Sequence, residues 1–232
     1  MEFDLGSRFV EVEVRRSTKA QYPRLEVHLH RGVRVTLPAA APATEAEKLV
    51  RSKTEWLLRH LAKFDRLRSV VPDRRLISGE NLPLLDGTVT LEVTSGPARV
   101  ERRDGTLAVS LPSPTERGVR FALEDWYAAQ AEDEIARRAE ELATRHGIKI
   151  RGVRISRAQT RWGSCSSTGR ININWRLMLA PSSIVEYLIA HELAHVAHKN
   201  HSPAFWSRVA ELHAPYAESE RWLRKNGAGL VL

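Results

Sequence analysis

The chain has 232 residues, 42% of them hydrophobic and 28% charged, with a single cysteine and a net charge of +8. That balance excludes a collagen-like, low-complexity or disulfide-framed chain, and no uncharged run approaches the roughly 18 to 20 residues that span a bilayer. A basic surplus points to anionic partners. The lone Cys165, and acids at Glu2 and Asp4 where a secretory leader would carry lysines, make a reducing cytoplasm the expected compartment.

Residues 9–14, 25–29 and 33–37 alternate apolar with polar and read as strands with one wet face. From Thr44 to about Phe64, the spacing of Leu49, Val50, Trp56, Leu57 and Leu61 predicts a helix, opened by a Thr44/Glu47 capping box. Residues 75–112 return to short strands broken at Asp86-Gly87, Gly96-Pro97 and Asp104-Gly105. Ser113-Pro114-Thr115-Glu116 reads as the cap, first position and closing glutamate of a helix that runs to about Arg145 and stops at Gly147. Residues 149–155 and 171–174 read as strands around an irregular segment from Trp162 to Ser167. Everything from Ser183 onward reads as helix, interrupted near Asn200 and Pro215. No internal repeat is visible. Proline and serine at 111–114 mark the expected boundary, giving a β-rich accessory domain with one helix at 1–112 and a second domain at 113–232.

Charge is unevenly spread. From Gly147 to Ser182 there are seven cations (Lys149, Arg151, Arg154, Arg157, Arg161, Arg170 and Arg176) and no acid. Solvated outward positions on strands account for such a tract as readily as an anionic partner does.

The stretch that carries chemistry is Leu188-Ile189-Ala190-His191-Glu192-Leu193-Ala194-His195-Val196-Ala197. Residues four apart on a helix share a face, so His191 and His195 present imidazoles to one point as two ligands of a zinc ion. Glu192, one residue round, reaches a water there without binding the metal, which is the arrangement metal-assisted hydrolysis requires. The flanks are apolar, and three ionisable groups on a buried helix carry a desolvation cost that a metal offsets.

Three candidates compete for the third ligand. His198 shares the face but lies about 10.5 Å along the axis from His191, too far for three nitrogens each about 2 Å from one ion. His201 follows Asn200, a helix-ending residue, and precedes Ser202-Pro203, which reads as the cap and first position of a new helix. From that corner it can swing back. An acid on the next helix, Glu211 or Glu218, is the other option, and His201 is favoured.

Several blocks together resemble the YgjP-like metallopeptidase family, a zincin group related to the SprT-like peptidases. They are Arg161-Trp162-Gly163-Ser164-Cys165-Ser166-Ser167, Ile171-Asn172-Ile173-Asn174-Trp175-Arg176-Leu177, the histidine motif, and Asn200-His201-Ser202-Pro203-Ala204-Phe205-Trp206. Looser matches at Val14–Ser17, Gly32–Pro38, Val50–Lys53 and Leu82–Gly87 extend the resemblance over nearly the whole chain. It implies an α+β, zincin-like domain with its active-site helix beside a small sheet, preceded by a β-rich part. It also implies His191, His195 and His201 as ligands of one zinc ion and Glu192 as general base. In zincins a strand before the active helix borders the cleft and pairs with extended substrate; by resemblance that strand is Arg170–Trp175.

Charge developing on a tetrahedral intermediate calls for a further donor, with Tyr187, Tyr216, His213 and Arg221 as candidates. Arg170, Asn172, Asn174 and Tyr216 are therefore expected near substrate. Cys165 reads as a small buried thiol. Trp162, Trp175, Trp206 and Trp222 read as core filler rather than base-stacking platforms. His28, His30 and His60 read as surface residues.

The expected function is a zinc metallopeptidase acting on protein or peptide. A metal-dependent nucleoside triphosphate pyrophosphohydrolase is a second reading, because the cationic tract suits triphosphate, although a glycine-rich phosphate loop and a carboxylate cluster for magnesium are missing. A nucleic-acid-associated protease of SprT-like type is a third, with only weak, diffuse phosphate contacts.

Overall fold

Alternation does what period two requires: Val10, Val12, Val33, Val35 and Leu37 fall on one buried face of a four-stranded sheet. The computed structural model describes residues 1–28, 32–68, 72–158 and 160–232, so Leu29 of the expected second strand and His30, expected at the surface, lie outside it. The sheet comprises β1 (Glu2–Asp4), β2 (Phe9–Ser17), β3 (Arg24–His28) and β4 (Gly32–Pro38) in the order β1-β2-β4-β3, with β2 parallel to β4 and the other pairs antiparallel. Helices α1 (Thr44–Ser52) and α2 (Thr54–Arg68) supply Val50 and Leu57 to its core.

The single helix expected at 44–64 is thus two, separated at Lys53, whose amide bonds back to the Leu49 and Val50 carbonyls. The Thr44/Glu47 box does not form. Ala43 occupies the cap position without a side-chain bond, and Glu47 pairs with Arg51 instead. His60 is half-buried rather than on the surface, its Nδ1 2.8 Å from the Trp56 carbonyl.

Residues 1–72 form one compact unit and 73–232 another. The second contains β5 (Asn81–Leu84), β6 (Gly87–Ser95), β7 (Arg99–Arg103) and β8 (Thr106–Leu111), followed by α3 (Glu116–Arg145). Leu82, Leu91, Leu107 and Val109 pack with Leu123, Tyr127 and Ile135 of α3 in a core that continues through the C-terminal helices. The division expected at 112/113 therefore lies inside this unit, because β5–β8 cover α3.

The two four-stranded sheets are copies of one topology. The second runs β5-β6-β8-β7, with β6 parallel to β8 and antiparallel pairs outside. Register matches too. Phe3 faces Val10 as Leu82 faces Val89, and Val12 faces Val33 as Leu91 faces Leu107. A repeat that is not visible in the sequence is plain in the strand pairing.

Beyond α3 come β9 (Gly152–Ser156), β10 (Gly163–Cys165) and β11 (Arg170–Asn174), a 3₁₀ turn at Trp175–Leu179, and helices α4 (Ser182–Ala197), α5 (Pro203–Leu212) and α6 (Tyr216–Asn226). The cap of α3 is Thr115, not Ser113: its hydroxyl accepts from the Gly118 amide at 3.1 Å. Gly147, at φ +64, ends the helix as expected. No helix among the described residues is long and apolar enough to cross a membrane.

Candidate metal centre

Helix α4 is apolar nearly all round: Ile184, Val185, Leu188, Ile189, Ala190, Leu193 and Ala194 are buried, as an interior helix requires. Its N-terminus has no cap from its own Pro181. The carboxylate of Asp86, in the β5–β6 turn, accepts from the Ser182 amide at 2.9 Å instead, and Leu85 of the same turn donates to the Met178 carbonyl at 2.8 Å. Those bonds to Ser182 hold the Asp86 carboxyl below its ordinary range. Arg138 of α3 reaches Glu186 at 3.1 Å. The second sheet and α3 together fix where α4 lies.

On that helix His191 and His195 point the same way, with ring centroids 5.0 Å apart. Helix α4 stops at Ala197 with His198 as its C-cap, ahead of the expected Asn200, and Ser202 caps α5 by accepting from the Phe205 amide, with Pro203 first in the helix. The corner brings His201 back to 5.1 Å from His191 and 4.8 Å from His195, ring to ring. One nitrogen from each ring lies within 4.8 Å of the others, and His201 Nε2 is 3.2 Å from His191 Nε2. His195 Nδ1 donates to the His198 carbonyl at 2.9 Å, which leaves its Nε2 for the cluster. His198 stays outside the cluster, and Glu211 turns away to pair with Arg208 at 2.6 Å.

Burial, and then the neighbouring His195 and His201, push the His191 ring down to about 4. Burial also lowers His195. Three imidazoles whose nitrogens converge, with no carboxylate between them, are a nitrogen donor set of the kind zinc takes, so the residues present fit such an ion. His191 Nδ1 and Glu192 Oε2 are buried without a hydrogen-bond partner. Glu192 is 4% exposed, and burial pushes its carboxyl up to about 8.

Two neighbours that sequence reasoning missed shape the site. Phe205, fully buried, packs its ring 4.5 to 4.9 Å from all three histidine rings. Gly163 of β10 lies directly over Glu192: a methyl at that position would overlap Oε1 and sit 2.8 Å from both Cγ and Cδ. Phe205 was findable as the third residue of a helix opened by Ser202-Pro203. Gly163 gave no local signal.

Gly163, Ser164, Cys165, Glu192, Lys199 and the three histidines line a cavity of about 330 Å³. The Cys165 thiol, raised by burial, donates to the Ser166 carbonyl at 3.5 Å and lies outside the nitrogen cluster.

The expected substrate-contacting residues fare unevenly. β11 is the central strand of its sheet, antiparallel to β10 and parallel to β9, so both its edges are taken and it cannot pair with substrate. Among the described residues, the strand with an open edge beside the histidines is β10. Asn174 is fully buried and braces the preceding loop, donating to the Ala158 and Arg161 carbonyls. Asn172 clamps β11 to β10 through Ser164 Oγ at 3.1 Å. Arg170 is exposed on the outer face. Tyr216 stacks on Trp206, which in turn lies 5.8 Å from the His201 ring.

Of the other oxyanion candidates, Tyr187 is buried between His191 and His213, and burial pushes its hydroxyl up to about 12. His213 is engaged with Ser219 Oγ at 3.1 Å. Arg221 is exposed.

Comparison with curated proteins found no match, and neither did comparison with solved structures. The model of the YgjP-like metallopeptidase domain matches residues 21–226. With its histidine cluster inside that span, the chain belongs to the YgjP-like metallopeptidase domain family, a group of metal-dependent hydrolases.

Proposed function

We propose that this protein is a zinc peptidase in which His191, His195 and His201 hold one ion and Glu192 is the general base. The observation that carries this reading is the meeting of three imidazole nitrogens beside a buried carboxylate with an unsatisfied oxygen. When bound, a zinc ion supplies Lewis acidity, polarising the scissile carbonyl and acidifying the attacking water.

The chain's own groups do the rest. Glu192 Oε2, with no competing partner, takes the proton from the water as its oxygen bonds to the carbonyl carbon, then delivers that proton to the leaving nitrogen as the C–N bond breaks. The bond from His195 Nδ1 to the His198 carbonyl keeps the opposite nitrogen aimed inward. Phe205 packs against all three rings and so helps to fix their mutual placement. An extended peptide adds along the open edge of β10, where main-chain bonds give affinity with little sequence selectivity. No observation favours the nucleotide reading over this one.

The test is metal analysis and turnover on one set of proteins. Wild type should carry about one equivalent of zinc and cleave casein. Glu192→Gln should keep the metal and lose at least about 100-fold in turnover. Parental turnover in Glu192→Gln, or hydrolysis of nucleoside triphosphates but not of casein, would remove the peptidase reading.

A further inference from the structure

We infer that the outward face of the β9–β10–β11 sheet binds an acidic stretch of the polypeptide being cut, so that the substrates are proteins with carboxylates flanking the scissile bond. The inference rests on the peptidase reading above and adds to it a substrate class. It begins from the way the fold sorts the acid-free tract.

Two of its seven cations are used internally. Arg157 pairs with Asp125 at 2.7 Å, and Arg176 lies 4.8 Å over the Trp162 ring and donates to the Ala158 carbonyl. Arg154 and Arg170 go to the outer face. Ile171 and Ile173 turn inward and are fully buried, so their neighbours in the strand, Arg170 and Asn172, turn outward. Register then lines up Arg154, Asn172 and Ser164 in one polar row across the three strands. Opposite Arg170 stands Gly152, which leaves its guanidinium with no side chain beside it on β9. Lys149, Arg151 and Arg161 are also exposed.

Among the described residues, Lys149, Arg151, Arg154, Arg161 and Arg170 form no ion pair, whereas Arg120, Arg137 and Arg138 on α3 each sit on a glutamate about one turn away. The exposed guanidinium groups of Arg154 and Arg170, with no acid beside them, are complementary to carboxylates or phosphates.

Continuity with the metal centre decides which. Ser164 and Cys165 belong at once to this sheet and to the wall of the histidine cavity. Lys199, whose Nζ is 3.4 Å from the Ser166 carbonyl, carries positive charge to the cavity rim. The aromatics of the tract are committed to packing: Trp175 is 5% exposed, and Trp162 lies between Arg176 and Gly227. No stacking platform for bases is left on this face, and single-strand binders depend on one.

Strand spacing sets the distance. A guest on the β10 edge lies about 15 Å from β9, three spacings of about 4.8 Å, so Arg154 meets carboxylates only on a stretch of the polypeptide that leaves that edge and crosses the face of the sheet.

The experiment uses a peptide from the casein digest that wild type cleaves. It is resynthesised with four Glu, four Ser or four Lys beyond the cut, and each form is assayed on wild type and on the double variant Arg154→Glu, Arg170→Glu. Metal content of the variant confirms an intact centre. The Glu form should show a KM about 10-fold below the Lys form at low salt with a similar kcat. That gap should close in 0.5 M salt and in the double variant. Equal KM values for the three forms would overturn the inference while leaving the peptidase reading standing. If no peptide is cleaved, that reading fails separately, and fluorescence anisotropy of the labelled Glu peptide on Glu192→Gln protein still tests the surface. Arginine-dependent binding supports the inference there, and absence of binding overturns it. Duplex or single-stranded DNA binding more tightly than the acidic peptide, through the same two arginines, would overturn it in favour of nucleic acid.

Discussion

The sheets β1–β4 and β5–β8 share strand order, polarity and core register, but their first turns use their polar groups differently. In the first, the turn between β1 and β2 satisfies itself: Asp4 accepts from the Gly6 amide at 2.8 Å, and the Leu5 amide bonds to the Arg8 carbonyl. In the second, the equivalent turn is shortened to Leu85-Asp86, and both residues bond outward, to the 3₁₀ turn and to the first amide of α4. The second copy has therefore become the mount for the helix bearing His191 and His195. A repeated scaffold acquires a role through the few groups at one turn, while its core stays the same.

The strongest test of that asymmetry is metal retention. His191→Ala should lose essentially all of the one equivalent of zinc, while His60→Ala, on α2 of the first unit, should keep it; retention in the first variant would break the division of labour. Next in size is a pair of glycines. Gly163→Ala should lower kcat about 100-fold with zinc retained and KM little changed, because the new methyl collides with the Glu192 carboxylate. Gly6→Ala, at φ +84 in open space, should cost about 1 kcal/mol of stability and leave kcat alone.

Without selective loss of turnover, Val35→Ala and Val109→Ala, both fully buried at matching register, should each cost about 2–3 kcal/mol in denaturant unfolding. Unequal costs would mean that the cores have diverged more than their pairing shows. The smallest effect belongs to Asp86→Ala, which should remove about 0.5–1 kcal/mol, limited by the exposure of the carboxylate. Since the folded Asp86 carboxyl is held below its ordinary value, its contribution is complete above the unfolded pKa of about 4 and fades as pH falls through the lowered folded value. The stability gap between wild type and variant should be constant from about pH 5 to 8 and close in stronger acid.

Much of the centre was legible in the chain because its signals are local. Spacing by four put His191 and His195 on one face, and Ser202-Pro203 forecast the corner that returns His201, although the preceding helix stops at Ala197 rather than at Asn200. What was hidden depends on distant partners. Gly163 matters because β10 crosses Glu192, and a missing side chain leaves no periodicity to read. Asn174 looked available to substrate, but its side chain is spent on the Ala158 and Arg161 carbonyls, and the open edge passed from β11 to the three-residue β10 because strand order is a tertiary property. The repeat escaped notice because its copies exchange Val for Leu at matching positions and differ in loop length. The misplaced caps at Thr44 and Ser113 had several polar residues within reach of one helix start, and only backbone geometry chooses among them.

The shortness of β10 has a bearing on self-association. A long bare strand edge is a template on which copies of the same chain polymerise. Three residues from Gly163 to Cys165 offer too few main-chain bonds for that, and exposed Arg154 and Arg170 on the same sheet repel an identical neighbour. The protein can thus keep an unguarded edge beside its reactive centre and still resist forming fibres with itself.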